Sequence, residues 1–133
     1  MVQKEVGRRL CAPPGSREYG ALSVWVQSFA GCSLAFVVPP TVFVPRPKVD
    51  SAVVVLDRLQ KVRDFEPERL ARVVKRCFQQ RRKQLKTILK KEWCPELESA
   101  FLDLGIDPRD RPEQVSPDQY QALSNLDKIA SGP

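Results

Sequence analysis

The sequence predicts an α+β chain in which two adjacent β-strands precede a helical unit over residues 62–133. Three observations predict it. Two β-rich runs, "SLAFVVPPTVFV" and "KVDSAVVVLDRL", flank a proline bend. Residues 67–92 place apolar side chains at i, i+3, i+4 and i+7, the rhythm of one helix face. The segment "SPDQYQALSNLDKIA" opens with residue types that start helices.

The elements follow in order. "CAPPGSREYG" is turn-rich. "ALSVWVQSFAG" then spaces Leu22, Trp25, Val26 and Phe29 as one helix face, and Gly31 is expected to close that helix. "AVVVL", residues 52–56, is continuously apolar and expects cover on both faces, as inside a larger sheet. Two strands alone do not make a stable sheet, and no further strand is evident. "PERLARVVKRCFQQRRKQLKTILKKE" reads as one helix over residues 67–92. Pro67 suits its first turn, and Trp93, Cys94 and Pro95 end it. Its stripe is Leu70, Val73, Val74, Cys77, Phe78, Arg81, Leu85, Ile88 and Leu89, with Arg81 the charged member. "PELESAFLDLG" is a shorter helix ending at Gly105. The last helix has Ser116 as N-cap, Pro117 in the first turn and Gln119 at the capping-box position, then Leu123, Leu126 and Ile129 as its stripe.

Composition excludes several functions. At 42% hydrophobic and 29% charged residues, the chain is that of a soluble globular protein. No apolar run approaches the roughly 18 residues of a membrane span, and no apolar segment follows the N-terminal charges as a secretory signal requires. A cytoplasmic protein with no membrane partner is expected. Cys11, Cys32, Cys77 and Cys94 form no CxxC pair, and the chain has no histidine, so no metal site is expected. They read as free thiols in a reducing compartment. Without histidine, Ser-His-Asp and Cys-His catalysis are excluded.

The charge is uneven. Residues 67–92 hold ten cations and two acids, a net +8, against +6 for the whole chain and therefore −2 for the rest. A helix that was merely soluble would interleave glutamates at i+4 to relieve the repulsion. Adjacent like charges over several turns point instead to a polyanionic partner, and nucleic acid above all.

Four segments, "MVQKEVGRRL", "PGSREYGALSVWVQ", "FVPRPKVDSAVV" and "FQQRRKQLK", occur in this order along nearly the whole chain. Together they resemble the second half of the small-subunit ribosomal RNA adenine N6-dimethyltransferases. The resemblance implies an S-adenosylmethionine-dependent enzyme that places two methyl groups on N6 of each of two adjacent adenosines near the 3′ end of a 16S-type RNA in a 30S-type subunit. It implies that residues 1–60 are terminal helices and the final β-hairpin of a Rossmann-like α/β methyltransferase domain. Residues 61–133 are then a small all-α RNA-binding domain, and "AVVVL" belongs inside a seven-stranded sheet.

By the same resemblance Phe43 lies beside the target base, which leaves its stack to be methylated. Pro45 and Pro47 restrict the backbone next to it. Lys48, Arg76, Arg81, Arg82, Lys83 and Lys86 are implied RNA contacts. Read from the residues alone, Phe43 suits a core position before a strand end, Arg81 a structural ion pair, and Lys4 and Glu5 helix packing. The chain has Gly7 where relatives often have alanine, and Thr87 near a common asparagine. The family's glycine-rich cofactor loop is not here, since the glycines fall at 7, 15, 20, 31, 105 and 132. Its Asn-Leu-Pro-Tyr segment is also missing. The expectation is therefore a C-terminal part, inactive alone, with no catalytic, cofactor-binding or metal-binding residue of its own. Its hairpin would be covered by the missing N-terminal half or by self-association. The alternatives are a stand-alone rRNA-binding or ribosome-assembly module without chemistry, and a protein-interaction domain.

Overall fold

A computed structural model of the chain describes residues 1–59 and 64–130. The elements are β1 (Val2–Gln3), α1 (Lys4–Cys11), α2 (Ala21–Phe29), β2 (Ala30–Val38), β3 (Ser51–Arg58), α3 (Pro67–Phe78), α4 (Leu85–Ile88), α5 (Pro95–Asp103), α6 (Pro117–Ser124) and α7 (Asp127–Ala130). The expected boundary at residues 60 and 61 lies outside the described residues.

The two β-rich runs pair antiparallel, with Cys32 opposite Leu56, Leu34 opposite Val54, and a bulge before Phe36. Pro39 and Pro40 have no N–H to donate, so β2 stops at Val38. A third strand, which no sequence pattern signals, sets Val2 opposite Ala52 and gives the order β1-β3-β2. At two residues it is too short to show alternation. α1 covers one face of the sheet. A Cβ on Gly7 would sit 3.2 Å from both Ala52 Cβ and Val54 Cγ2, so the bare glycine permits this close approach. Side chains alternate along a strand, so Val53 and Val55 point to the other face. Phe36, opposite Val53, is 57% exposed and Val55 is 42% exposed. The cover expected on both faces of residues 52–56 is present on one face only and over Ala52 and Val54 only, since Leu56 is 56% exposed.

Helix expectations differ in three places: at Gly31, within 67–92, and in the last helix, which is two, α6 and α7, with Asn125 and Leu126 between them. Gly31 does not close α2. Ala30 is already extended (φ −147°, ψ 148°), its N–H still bonds the Val26 carbonyl, and Gly31 sits in the ladder opposite Asp57. The helix expected over 67–92 is two helices, α3 and α4, separated by residues 79–84. No glycine or proline marks the break; competing hydrogen bonds make it. The N–H groups of Leu85 and Lys86 leave the helical ladder for the carbonyls of Asp110 and Pro108, at 2.8 and 3.0 Å. The stripe survives the turn: Leu70, Val73, Val74 and Cys77 from α3, and Leu85, Ile88 and Leu89 from α4 and its end, are all buried.

The later termini form as the sequence predicts. Gly105 has φ +72°, and the Ile106 N–H reaches back to the Phe101 carbonyl at 2.8 Å, closing α5. At the start of α6 the Gln119 N–H donates to Ser116 Oγ at 3.2 Å, while Gln119 Oε1 accepts from the Ser116 N–H at 2.9 Å.

One core joins the β-containing part to the helices. Ala12, Tyr19 and Val24 pack in the same cluster as Leu70, Phe101, Tyr120 and Leu123, so the helical unit and the β-containing part share core side chains. Tyr19 is fully buried, and its hydroxyl donates to the Val115 carbonyl at 2.6 Å. Tyr120 donates likewise to the Pro112 carbonyl at 2.6 Å. Burial pushes both phenols well above their ordinary pKa, so both remain donors. The Phe78 ring lies between them, 6.2 Å from the Tyr19 centroid and 5.8 Å from that of Tyr120.

Tyr19→Phe keeps the ring and removes the bond, leaving the Val115 carbonyl unsatisfied. The expected cost is about 1–3 kcal/mol, read as a lower midpoint in urea with an unchanged slope. An unchanged midpoint would mean that the hydroxyl does not help to join the two parts.

Candidate nucleic-acid interface

α1, the loop 12–20, the start of α2, residues 48–50 and the end of α3 surround an open cleft of about 950 Å³. Its cations are Lys4, Arg8, Arg9, Arg17, Lys48 and Arg81, and its carboxylates are Glu5, Glu18 and Asp50, a net +3. Several are already paired. Arg9 meets Glu5 at 2.7 Å one helical turn away, and Lys4 meets Asp50 at 3.6 Å. Arg81 donates to the Arg17 carbonyl at 2.8 Å and to Glu113 at 3.3 Å. Arg8, Arg17 and Lys48 make no ion pair among the described residues, so these three present uncompensated charge to a ligand. Neutral hydrogen bonds place the walls. Ser23 Oγ donates to the Arg9 carbonyl, and the Gly20 N–H donates to Ser23 Oγ at 3.1 Å.

The expected site residues separate into groups. Lys48 and Arg81 line the cleft. Arg81 is also half-buried against Phe78, with its guanidinium carbon 6.0 Å from the ring centroid. Arg82 and Lys83 are exposed in the turn between α3 and α4, outside the cleft lining. Lys86 is exposed, with Nζ 5.7 Å over the Trp93 ring. Phe43 is half-buried, yet it lies outside the core cluster and outside the hydrophobics packed on it. It follows a 3-10 turn, Pro40–Val42, and its N–H bonds the Pro40 carbonyl at 3.2 Å. Lys4 and Glu5 hold ion-pair partners, Asp50 and Arg9, at the start of α1.

Arg76 is corrected. It is only 17% exposed, and its Nη2 donates to Glu92 at 2.7 Å and to the Ile88 carbonyl at 3.3 Å. Its guanidinium ties α3 to the end of α4 and the segment after it. Its Nη1 is buried with no hydrogen-bond partner.

Arg8, Arg9 and Arg17 were not among the expected contacts. Summing charge along the chain hides them, because residues outside 67–92 total −2. Only the fold brings α1, the loop 12–20 and Lys48 to one place. No linear signal reports that.

The hydrogen bond from Arg76 holds the Glu92 carboxyl below the ordinary carboxylate range. A depressed pKa contributes stability that is present above the unfolded value of about 4.3 and is lost as pH falls through the folded value. Glu92→Ala leaves a largely buried guanidinium uncompensated and is expected to cost about 3 kcal/mol at neutral pH. The gap between wild type and variant should narrow below about pH 4. A gap independent of pH in acid denaturation would exclude the ion pair as its cause.

A family model described as ribosomal RNA adenine dimethylase matches residues 1–128. A "Ribosomal RNA small subunit methyltransferase A" from Oleidesulfovibrio alaskensis is 53% identical over 127 residues, covering 95% of this chain and 45% of that protein. One of the same description from Nitratidesulfovibrio vulgaris is 53% identical over 124 residues, covering 92% and 47%. The chain thus spans about half the length of the curated relatives it matches. The fold is also that of a dimethyladenosine transferase from Plasmodium falciparum, with a TM-score of 0.76 at 23% identity, over 91% of this chain and 53% of that one. The 23S rRNA methyltransferase ErmE superposes with a TM-score of 0.66 at 22% identity, over 96% and 52%.

Proposed function

The chain belongs to the ribosomal RNA adenine dimethylase family, and on that premise we propose that it is the RNA-engaging part of a methyltransferase acting on small-subunit ribosomal RNA. The supporting observation is the basic cleft, which Arg8, Arg17, Lys48 and Arg81 build from separate stretches of the sequence. In this reading the longer protein dimethylates N6 of two adjacent adenosines near the 3′ end of the RNA, in the cytoplasm, with the 30S-type subunit as partner. Residues 1–60 are the end of its methyltransferase domain and residues 61–133 its helical RNA-binding domain.

The residues act by binding and positioning. Arg8, Arg17 and Lys48 neutralise phosphates along the cleft, and Arg82 and Lys83 extend the track over the turn after α3. Arg81, held by Glu113 and the Arg17 carbonyl, fixes the loop that carries Arg17. Phe43 offers an aromatic face to an extruded adenine, worth about 1–3 kcal/mol per stacked base.

S-adenosylmethionine supplies the methyl group in such chemistry. The cleft does not fit it: a net +3 repels a sulfonium cation. The chain alone is expected to be inactive. Calorimetry with S-adenosylmethionine should give no binding heat; stoichiometric micromolar binding would contradict this.

The bare sheet face, with Phe36, Val53 and Val55, is read as the surface where the rest of a longer chain packs, or a second copy in its place. The face argues against a stand-alone RNA-binding module. Sedimentation should show concentration-dependent association, and a strict monomer at high concentration would remove this argument.

Electrostatic binding has a measurable signature. Each phosphate contact adds roughly 0.7 to 0.9 to the slope of log K against log salt. Replacing Arg82 and Lys83 with alanine should lower that slope by about 1.5 for a small-subunit rRNA hairpin, with stability unchanged. Arg81→Ala should lower stability as well. Phe43→Ala should leave the slope alone, because stacking releases no counterions, and should abolish methylation in the longer enzyme. An unchanged slope in the double variant, with the fold intact, would make those residues a solvated face.

A further inference from the structure

We propose that Cys11 and Cys32 form a reversible disulfide that fastens the end of α1 to β2. Their Sγ atoms lie 2.6 Å apart, although the residues are 21 positions apart in sequence. A disulfide bond is about half an ångström shorter than this, so closure needs only a small shift of the side chains. Both cysteines are half-buried thiols in the structure.

The backbone around each sulfur is held independently of the other. Gln27 Nε2 donates to the carbonyls of Leu10 and Ala12, the two neighbours of Cys11, at 2.9 and 2.8 Å. Cys32 is fixed in the β2–β3 ladder opposite Leu56. Folding has therefore already closed the loop between the two thiols, and each faces the other at high effective concentration. The remaining cysteines sit on other elements: Cys77 is buried within α3 and Cys94 precedes α5. Neither Cys11 nor Cys32 lines the basic cleft, so the bond fastens the fold without occupying the RNA surface.

The oxidant is a low-molecular-weight disulfide, with oxidised glutathione as the probe. Burial, and then the adjacent Cys11, push the Cys32 thiol up to about 12, which disfavours it as the first attacking thiolate. The Cys11 thiolate attacks one glutathione sulfur. The glutathione S–S bond breaks, and the leaving thiolate takes up a proton. Cys32 then gives up its proton and attacks the Cys11 sulfur of the mixed disulfide, releasing the second glutathione. Two electrons pass from the protein sulfurs to glutathione disulfide. Excess reduced glutathione reverses the exchange, as befits a transient disulfide in a reducing compartment.

The experiment incubates the purified chain with oxidised glutathione, blocks the remaining thiols, and measures mass intact and after digestion. The expected product has lost two hydrogens and carries one peptide pair joined through Cys11 and Cys32. Its melting temperature should rise by about 10 °C over the reduced chain, and reduced glutathione should restore the original value. Cys32→Ser should keep a single glutathione on Cys11 and form no internal bond. In concentrated guanidinium the preference for this pair over pairs with Cys77 or Cys94 should fall to the few-fold that loop length alone gives. Separate glutathione adducts on Cys11 and Cys32 in the folded chain would overturn the proposal. So would a bridge to Cys77 or Cys94, a bridge between two chains, or no reaction of the folded chain.

Discussion

A buried phenol governs how the parts are placed. The Tyr19 ring and hydroxyl have no water to turn to, so the hydroxyl must find an acceptor, and it finds the Val115 carbonyl. That bond pins the loop 12–20 against the segment before α6, and Gly15 repeats the attachment by donating to the Glu113 carbonyl at 2.6 Å. From there placement passes outward. Gly20 starts α2, Ser23 and Gln27 on α2 hold the end of α1, and Gly7 lets α1 settle on the sheet. The cations of the cleft ride on these elements. Their geometry is set by neutral hydrogen bonds and packing, which leaves Arg8, Arg17 and Lys48 available to an anion.

The charged pairs differ in weight because their surroundings differ. Arg9–Glu5 is exposed on one helix, and such pairs contribute about 0.3–0.5 kcal/mol. Arg76–Glu92, with side chains 17% and 12% exposed, is mostly removed from water, so breaking one side of it is far costlier. Arg69 pairs with Asp127 at 2.8 Å, joining α3 to α7. The cations that join the helices to one another are thus distinct from those that face solvent, although all lie in one run of sequence. A count of +8 over residues 67–92 merges the two groups.

What was legible in the sequence was local. Ser116 and Gln119 announce α6 because a capping box acts over three residues. Gly105 announces the end of α5 because the turn there needs a positive φ. The stripe from Leu70 to Leu89 identifies the buried face correctly even though the helix breaks within it. The break at residues 79–84 was not legible, since its cause is the carbonyls of Pro108 and Asp110, more than twenty residues away. β1 was hidden for a similar reason: its two residues become a strand only when β3 is beside them. Phe43 and Lys48 were singled out by a motif and not by pattern, and the cleft needed the fold before Arg8 and Arg17 could be seen beside Lys48.

The bond between Tyr19 and Val115 spans 96 positions, and this constrains the order of events during synthesis. At roughly 5 to 20 residues per second, Val115 leaves the peptidyl-transferase centre some 5 to 20 s after Tyr19. Until then the hairpin is made, but the Tyr19 phenol has no acceptor to be buried against. For that interval the loop 12–20 waits for the segment before α6 that pins it.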